Sequence, residues 1–367
     1  LTGNFKNLPH KGIQTLSPYI PGKSIEELAR EQGISDIIKL ASNENPLGCS
    51  PLVTEALARI SGLQLATYPS PAIHPLRRKL SDKSGIDESM LCLSNGSDLL
   101  FCMLMIIFGL HNNKHILTHE MAFISYQIQA QGLGIDIRFS PLKDNYQVDI
   151  PAMVAACNIE TSLLFIANPN NPTGSLISHD DLYYLMSNVP ASTIVVLDEA
   201  YYEFTPQTDN YSIQLLSNFP NLVITRTFSK AYGLAGLRLG YAIAHPEIIE
   251  LILRQQLPFS VNQVAMTAGL AALDDEHFLA KTLANNLSGM EQMRSGLEKL
   301  GYTVLPSACN FVTFDCGMNA THVYEALLKQ GIIVRPLAAY GLTNYLRVSI
   351  GKMEQNARFL DKLAICI

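Results

Sequence analysis

Thr193-Ile194-Val195-Val196-Leu197-Asp198-Glu199-Ala200-Tyr201 sets five β-branched or aliphatic residues directly before two carboxylates and a phenol. An apolar run without polar alternation fits a strand covered on both faces, which is the habit of parallel sheets. In such sheets ligands collect just beyond the carboxyl ends of the strands, where Asp198 and Tyr201 fall. Working outward, the same texture recurs at Met90–Ser94, His115–Thr118, Ile135–Ser140, Leu163–Ala167, Leu222–Arg226 and Leu239–Ala244. Helical patterns such as Asp98–Phe108 and His179–Ser187 lie between them, the second opened by Ser178 as a cap. Strand, polar loop and helix in rotation predict an α/β fold: a mostly parallel seven-stranded sheet flanked by helices.

Beyond Pro246 the texture changes. A long helical region runs from Glu247 to Lys299, interrupted near Pro258–Asn262. An α+β tail follows, with strands expected at Thr303–Leu305, Asn310–Phe314, Ile332–Arg335 and Leu346–Ile350 and a helix at Ala320–Gln330 closed by Gly331. Near the start, a helix at Ser24–Gln32 precedes a short apolar strand, Ile37–Leu40, expected to pair with the tail. The chain thus divides into a large domain, residues 45–258, and a smaller one built from residues 1–44 and 259–367.

Composition agrees and excludes. A chain of 367 residues is long for one core, and only 16% of it is charged, so much surface is expected to be buried, partly against a second copy. Lys+Arg 26 against Asp+Glu 32 leaves a net charge of -6 with no basic stretch, which argues against nucleic acid. The longest apolar run, Leu99–Leu110, is too short to span a bilayer, and Leu1–Leu16 has no signal-like apolar block. Seven scattered cysteines suit reduced thiols, so a cytoplasmic location is expected. His111, His115 and His119 are four apart, but Gly109 and Asn112-Asn113 break any helix there, so no metal site is expected.

Four strand ends carry polar groups. Asn95-Gly96-Ser97-Asp98 leads into an apolar helix and offers backbone N–H groups to an anion. Asn168-Pro169-Asn170-Asn171-Pro172-Thr173-Gly174, Asp198-Glu199-Ala200-Tyr201 and Ser229-Lys230 follow three other strands. Each has an ordinary reading: helix cap, turn, cap and solvated lysine. Together they match pyridoxal 5′-phosphate, which needs an amine for its aldehyde, a carboxylate for its ring nitrogen, donors for its phenolate oxygen and a phosphate cradle. Nucleotide alternatives fail on spacing. Gly22-Lys23-Ser24 lacks the first glycine of a P-loop, no G-x-G-x-x-G is present, and no G-x-S-x-G elbow exists.

Thr227-Phe228-Ser229-Lys230-Ala231-Tyr232-Gly233-Leu234-Ala235-Gly236-Leu237-Arg238-Leu239-Gly240 resembles the cofactor-lysine segment of pyridoxal-phosphate-dependent transferases of fold type I. Leu16–Lys23, Leu40–Gly48, Tyr68-Pro69 and Leu346–Gly351 are similar to the histidinol-phosphate aminotransferase subfamily, so the resemblance covers essentially the whole chain. It implies that Lys230 carries the cofactor and moves the proton at the substrate Cα. Asp198 would face the ring nitrogen, Asn171 and Tyr201 the phenolate oxygen, and Phe123 the ring face. Gly96, Ser97, Asp98, Ser229 and Arg238 would hold the phosphate, joined by Tyr68 from a partner subunit in a homodimer with shared active sites. Arg347 would grip glutamate, and Tyr19, Arg335 and Arg347 the substrate phosphate, with Asn45 and Asn171 alongside. Leu99 and Met121-Ala122 depart from the subfamily pattern beside the cofactor. The implied reaction exchanges amino groups between L-histidinol phosphate/imidazole-acetol phosphate and L-glutamate/2-oxoglutarate in L-histidine biosynthesis. An aromatic amino-acid aminotransferase and a threonine-phosphate decarboxylase share the fold, and a non-catalytic regulator is the alternative of another class.

Overall fold

The computed structural model describes residues 5–18, 22–111, 113–206 and 209–366. Its strands are β1 (Ile38–Lys39), β2 (Leu91–Ser94), β3 (His115–His119), β4 (Ile137–Ser140), β5 (Thr161–Ala167), β6 (Ile194–Asp198), β7 (Leu222–Thr227) and β8 (Gly240–Ala244), followed by β9 (Thr303–Leu305), β10 (Phe311–Asp315), β11 (Ile332–Ile333), β12 (Arg335–Leu337) and β13 (Leu342–Ser349). The large sheet has the order β2-β8-β7-β6-β5-β3-β4. Alternate residues of its central strands feed two cores: Leu164, Ile166, Val195 and Leu197 join one, while Leu163, Phe165 and Val196 join the other. That double covering is why the runs show no polar alternation.

β8 is antiparallel to both β2 and β7, a departure from the parallel rhythm. The physical reason lies in the connection. Residues between β7 and β8 form an irregular loop with only a short 3-10 turn, Ala235–Leu237, so no helix carries the chain back across the sheet. The loop is pinned instead by Gly233, whose φ of 69° and approach to the Gly48 carbonyl leave no room for a side chain.

The helical region is more broken than its pattern suggests. Helices run over Pro246–Gln255, Gln263–Asp274 and Glu276–Lys299. The gap at 256–262 was expected, whereas the break at Asp275 was not. Asp275 caps the last helix by accepting from the Phe278 N–H at 2.9 Å and also receives the Ser50 hydroxyl.

In the smaller lobe β12-β13-β10-β9 form an antiparallel sheet. β1 pairs in parallel with β11, Ile38 opposite Ile332, so the N-terminal strand does join the tail. The helix Ile25–Gln32 buries Leu28 against Leu328 and Ile333. Among the described residues no helix is long and apolar enough to cross a membrane. His115 and His119 both lie on β3, where His115 Nε2 meets Thr161 Oγ1 at 2.9 Å and His119 Nδ1 meets the Glu120 carbonyl at 2.8 Å.

Candidate active site

The carboxyl ends of β5, β6 and β7 open onto one cavity of about 140 Å³, reached by Asp198, Tyr201, Asn171, Lys230 and Arg238. Asp198 ends β6 and is buried. Its Oδ2 accepts from the Tyr126 hydroxyl at 2.7 Å, and its Oδ1 from the Ala200 N–H at 3.2 Å and the Thr225 hydroxyl at 3.4 Å. Burial nevertheless pushes its pKa up to about 7, so these donors only partly offset the lost hydration.

Tyr126 was not singled out from sequence. It stands on the helix Ile124–Leu133, one turn after Phe123, so both rings project to the same side. Phe165 stacks on it at 4.9 Å and Phe101 meets it edge-on at 5.1 Å, which aims the hydroxyl at Asp198. Phe123 lines the cavity itself. A tyrosine one turn from a candidate stacking aromatic was the only available signal.

Lys230 projects from the β7–β8 loop, and its Nζ donates to the Ser42 carbonyl at 3.1 Å. Burial, reinforced by the Arg347 charge, pulls its pKa down to about 8. An amine so placed is partly neutral near physiological pH and able to act as a nucleophile. Its neighbours are fixed: the Ser229 N–H donates to Thr227 Oγ1 at 3.1 Å, the Thr227 hydroxyl donates to Ser229 Oγ at 3.0 Å, and Asn45 Nδ2 donates to the Ala231 carbonyl at 2.9 Å. Asn45 also donates to Thr282 Oγ1 and accepts from the Leu47 N–H, so its carboxamide is engaged within the protein.

At the other end, Gly96 caps the helix Ser97–Phe108 with a φ of 76°. A Cβ there would stand 2.8 Å from Arg238 Nη2, so only glycine lets the guanidinium approach this closely. Arg238 Nη1 donates to Ser229 Oγ at 3.4 Å and to the Ala235 carbonyl at 3.0 Å, while Asp98 accepts the Ser125 hydroxyl at 2.6 Å and lies 3.8 Å from Arg238. A helix N-terminus, a hydroxyl and a guanidinium converge as a phosphate cradle would require.

The smaller lobe contributes Arg347, from β13. It is buried, with Nη1 on Asn171 Oδ1 at 2.5 Å and Nη2 on the Ala41 carbonyl at 2.7 Å. Its Nε is buried without a partner among the described residues, a donor available to an anion. Arg335 faces Arg347 directly across the β12–β13 register. Tyr201 receives the Asn43 amide at 2.8 Å, and burial raises its pKa, keeping the phenol protonated. Asn43, with φ of 56°, also accepts the Ser349 hydroxyl at 3.0 Å and joins the N-terminal arm to both lobes. It too went unassigned from sequence.

Tyr68 is not among the cavity-lining residues. It is 76% exposed and stacks on Phe259 at 4.4 Å. Tyr19 lies outside the described residues. Leu99 packs on the core, and Met121, with φ of 55°, gives its carbonyl to Asn170.

An amine, a buried carboxylate, an amide–phenol pair and an anion cradle around one cavity are the donor set that a phosphorylated pyridine aldehyde requires. The aminotransferase class I and II profile matches residues 35–363. Histidinol-phosphate aminotransferase 2 of Legionella pneumophila (strain Lens) is 55% identical over 98% of both chains. Histidinol-phosphate aminotransferase 2 of Pseudomonas aeruginosa is 43% identical, again over 98% of each. The crystal structure of histidinol-phosphate aminotransferase from Sinorhizobium meliloti in complex with pyridoxal-5′-phosphate superposes with a TM-score of 0.86 at 27% identity, covering 98% of this chain and 96% of that one. Fold, site and likeness along the whole length agree: this chain belongs to the aminotransferase class I and II family, in its histidinol-phosphate aminotransferase branch.

Proposed function

We propose that the protein catalyses transfer of the amino group of L-glutamate to imidazole-acetol phosphate, yielding 2-oxoglutarate and L-histidinol phosphate in L-histidine biosynthesis, with pyridoxal 5′-phosphate as cofactor. The observation that carries this reading is the pairing of Lys230 and Asp198 at one cavity whose lining residue Asn171 is held by a buried, incompletely satisfied Arg347. The whole-length likeness to histidinol-phosphate aminotransferases supports the choice of substrate.

When bound, the cofactor supplies an aldehyde that accepts the amino group and a ring that withdraws electrons from the substrate Cα. The residues do the rest. Asp198 would hold positive charge at the ring nitrogen, and Tyr201 and Asn171 would hold the ring oxygen. Arg238, Ser229 and the Gly96–Asp98 turn would hold the phosphate, and Phe123 would cover the ring face. Lys230, as a neutral amine, would take the proton from the substrate Cα and return it on the product side. Arg347 takes the glutamate carboxylate or, with Arg335 and Tyr19, the phosphate of the other substrate, so two anions alternate in one basic corner.

Residues 45–258 form the cofactor-binding domain in this reading, and residues 1–44 with 259–367 the smaller domain. Tyr68 acts from a second copy in a cytoplasmic homodimer. Supporting that, Tyr68, Phe259, Leu63, Leu65 and Leu257 are all exposed in the single chain, an unusual set for free surface. Catalysis rather than ligand sensing is favoured because Lys230, Asp198 and Arg238 all reach the same cavity.

Two experiments bear on this. Purified holoenzyme given 2-oxoglutarate should turn over L-histidinol phosphate with a kcat/KM roughly 10- to 100-fold above that for L-phenylalanine, the worth of a charge-assisted phosphate contact. Brisk phenylalanine turnover with none of histidinol phosphate would indicate the aromatic enzyme, and carbon dioxide release from threonine phosphate the decarboxylase. Separately, Tyr126→Phe removes one donor from Asp198 and should lower kcat about tenfold, with the holoenzyme's absorbance titration displaced. An unchanged kcat and titration would mean that Thr225 and Ala200 suffice.

A further inference from the structure

A second cavity lies on the far side of the wall that carries the catalytic groups. Side chains alternate along β7, so Thr225 and Thr227 face Asp198 and the Lys230 pocket while Arg226 points to the opposite face. The same single step separates Glu199 from Asp198 and Tyr202 from Tyr201. The resulting cavity, about 310 Å³, shares no lining residue with the pocket around Lys230.

Its polar end is built but unsatisfied. The Arg226 side chain is 5% exposed, and its Nε donates to Glu199 Oε2 at 2.8 Å. Nη1 reaches Asn210 Oδ1 at 3.4 Å, and the guanidinium rests on the Tyr202 ring at 3.6 Å. Nη2 is buried with no partner among the described residues. Glu203 lines the same space with its Oε2 buried and unpartnered, and burial pushes its carboxyl up to about 7. Buried groups in native proteins are rarely left so, and each unmade bond is costly. Four leucines, Leu279 and Leu283 among them, share the remaining wall with Tyr232, Tyr241 and Ser84, and Lys83 stands half-exposed at the rim.

These groups discriminate among occupants. A simple anion would meet Glu199 and Glu203, and a metal cation would meet Arg226. Water could satisfy Nη2 and Oε2 but gains nothing from four leucines. A guanidinium donor for a carboxylate, a carboxyl for an ammonium and a leucine wall for an apolar side chain are together complementary to one class of molecule. The volume holds roughly ten water-sized groups, enough for a molecule of leucine or phenylalanine size.

We propose that this cavity is a second ligand site, distinct from the catalytic pocket, for a free L-α-amino acid with an apolar or aromatic side chain, its carboxylate on Arg226 and its ammonium on Glu203. The site flanks Asp198, Tyr201 and Lys230 by one or two residues each, so its occupancy bears on the same wall that holds the cofactor.

The test uses holoenzyme whose cofactor has been fixed to the protein with borohydride, so that nothing turns over. Calorimetric titration with L-leucine and L-phenylalanine should give saturable binding that is weakened at least tenfold by Glu203→Gln and by Leu279→Trp, which fills the cavity. Leu283→Phe replaces Leu279→Trp should that variant fail to fold. Absence of binding overturns the proposal. So does binding that survives the cavity-filling variants, and its displacement by 2-oxoglutarate would then assign it to the Lys230 pocket. The readout is binding alone, so failure of the transaminase reading would leave this result standing.

Discussion

Lys230→Ala should lower kcat by on the order of 10⁴-fold or more, because it removes both the covalent anchor of the cofactor and the base at the substrate Cα. Borohydride treatment of the variant should fix no cofactor to the protein. Covalent trapping that persisted unchanged would mean another lysine does the work. The wild-type amine also has a pH signature. With its pKa pulled down to about 8, the fraction of neutral nucleophile rises as pH approaches and passes that value. Capture of cofactor by the apoprotein should therefore accelerate from pH 6.5 to about 8 and level off above. The same shift has a stability consequence of fixed sign. Between about 8 and 10.5 the folded state binds fewer protons than the unfolded one, so the group's penalty is borne in full below 8 and relieved as pH rises through that window.

Asp198→Ala should cost roughly 10³-fold in kcat, the scale seen when a preorganised charge facing a reacting system is removed. It also strands the Tyr126 and Thr225 hydroxyls and the Ala200 N–H, which now share the carboxylate. Asp198→Asn keeps an acceptor but cannot hold a positive charge, so its kcat should fall nearly as far while its fold survives better. The carboxyl's folded pKa of about 7 lies above its unfolded value near 3.8. Its contribution to stability is thus present in full below the unfolded value and is lost as pH rises through about 7. Apoprotein melting temperature should decline across that range through this group, and Asp198→Asn apoprotein should decline less. In holoenzyme a cationic ring nitrogen draws the carboxyl pKa back down, so the slope should flatten. Equal slopes in apo- and holoprotein would show that Asp198 does not face the ring nitrogen.

The two predictions rest on residues that were visible before any coordinates, and that difference of legibility has a cause. Asp198, Lys230, Gly96 and Asn171 each follow an apolar run, and the end of a doubly covered strand is a position that periodicity alone can locate. Which strand of the mostly parallel sheet runs antiparallel was not legible, because residues 228–239 look like any other strand connection until the absence of a helix is seen. Tyr126 and Asn43 were missed for another reason. Their roles depend on partners 72 and 158 positions away, Asp198 and Tyr201, and neither stands at a strand end. Asn45 shows the converse: it sits in a telling stretch, yet its amide is spent on Ala231 and Thr282.

By itself the sequence determined the order of apolar runs and loops, and hence an α/β large domain, an α+β tail and a rim bearing an amine, a carboxylate and an anion cradle. These follow from local rules, because burial of a strand and capping of a helix are decided within a few residues. Only the tertiary structure decided which hydroxyl holds Asp198, that Arg347 reaches Asn171 from the other lobe, and that Arg226 turns away to build a cavity of its own. Those are contacts between segments far apart in the chain, and the sum of burial and charge that sets each pKa exists only once the segments have packed.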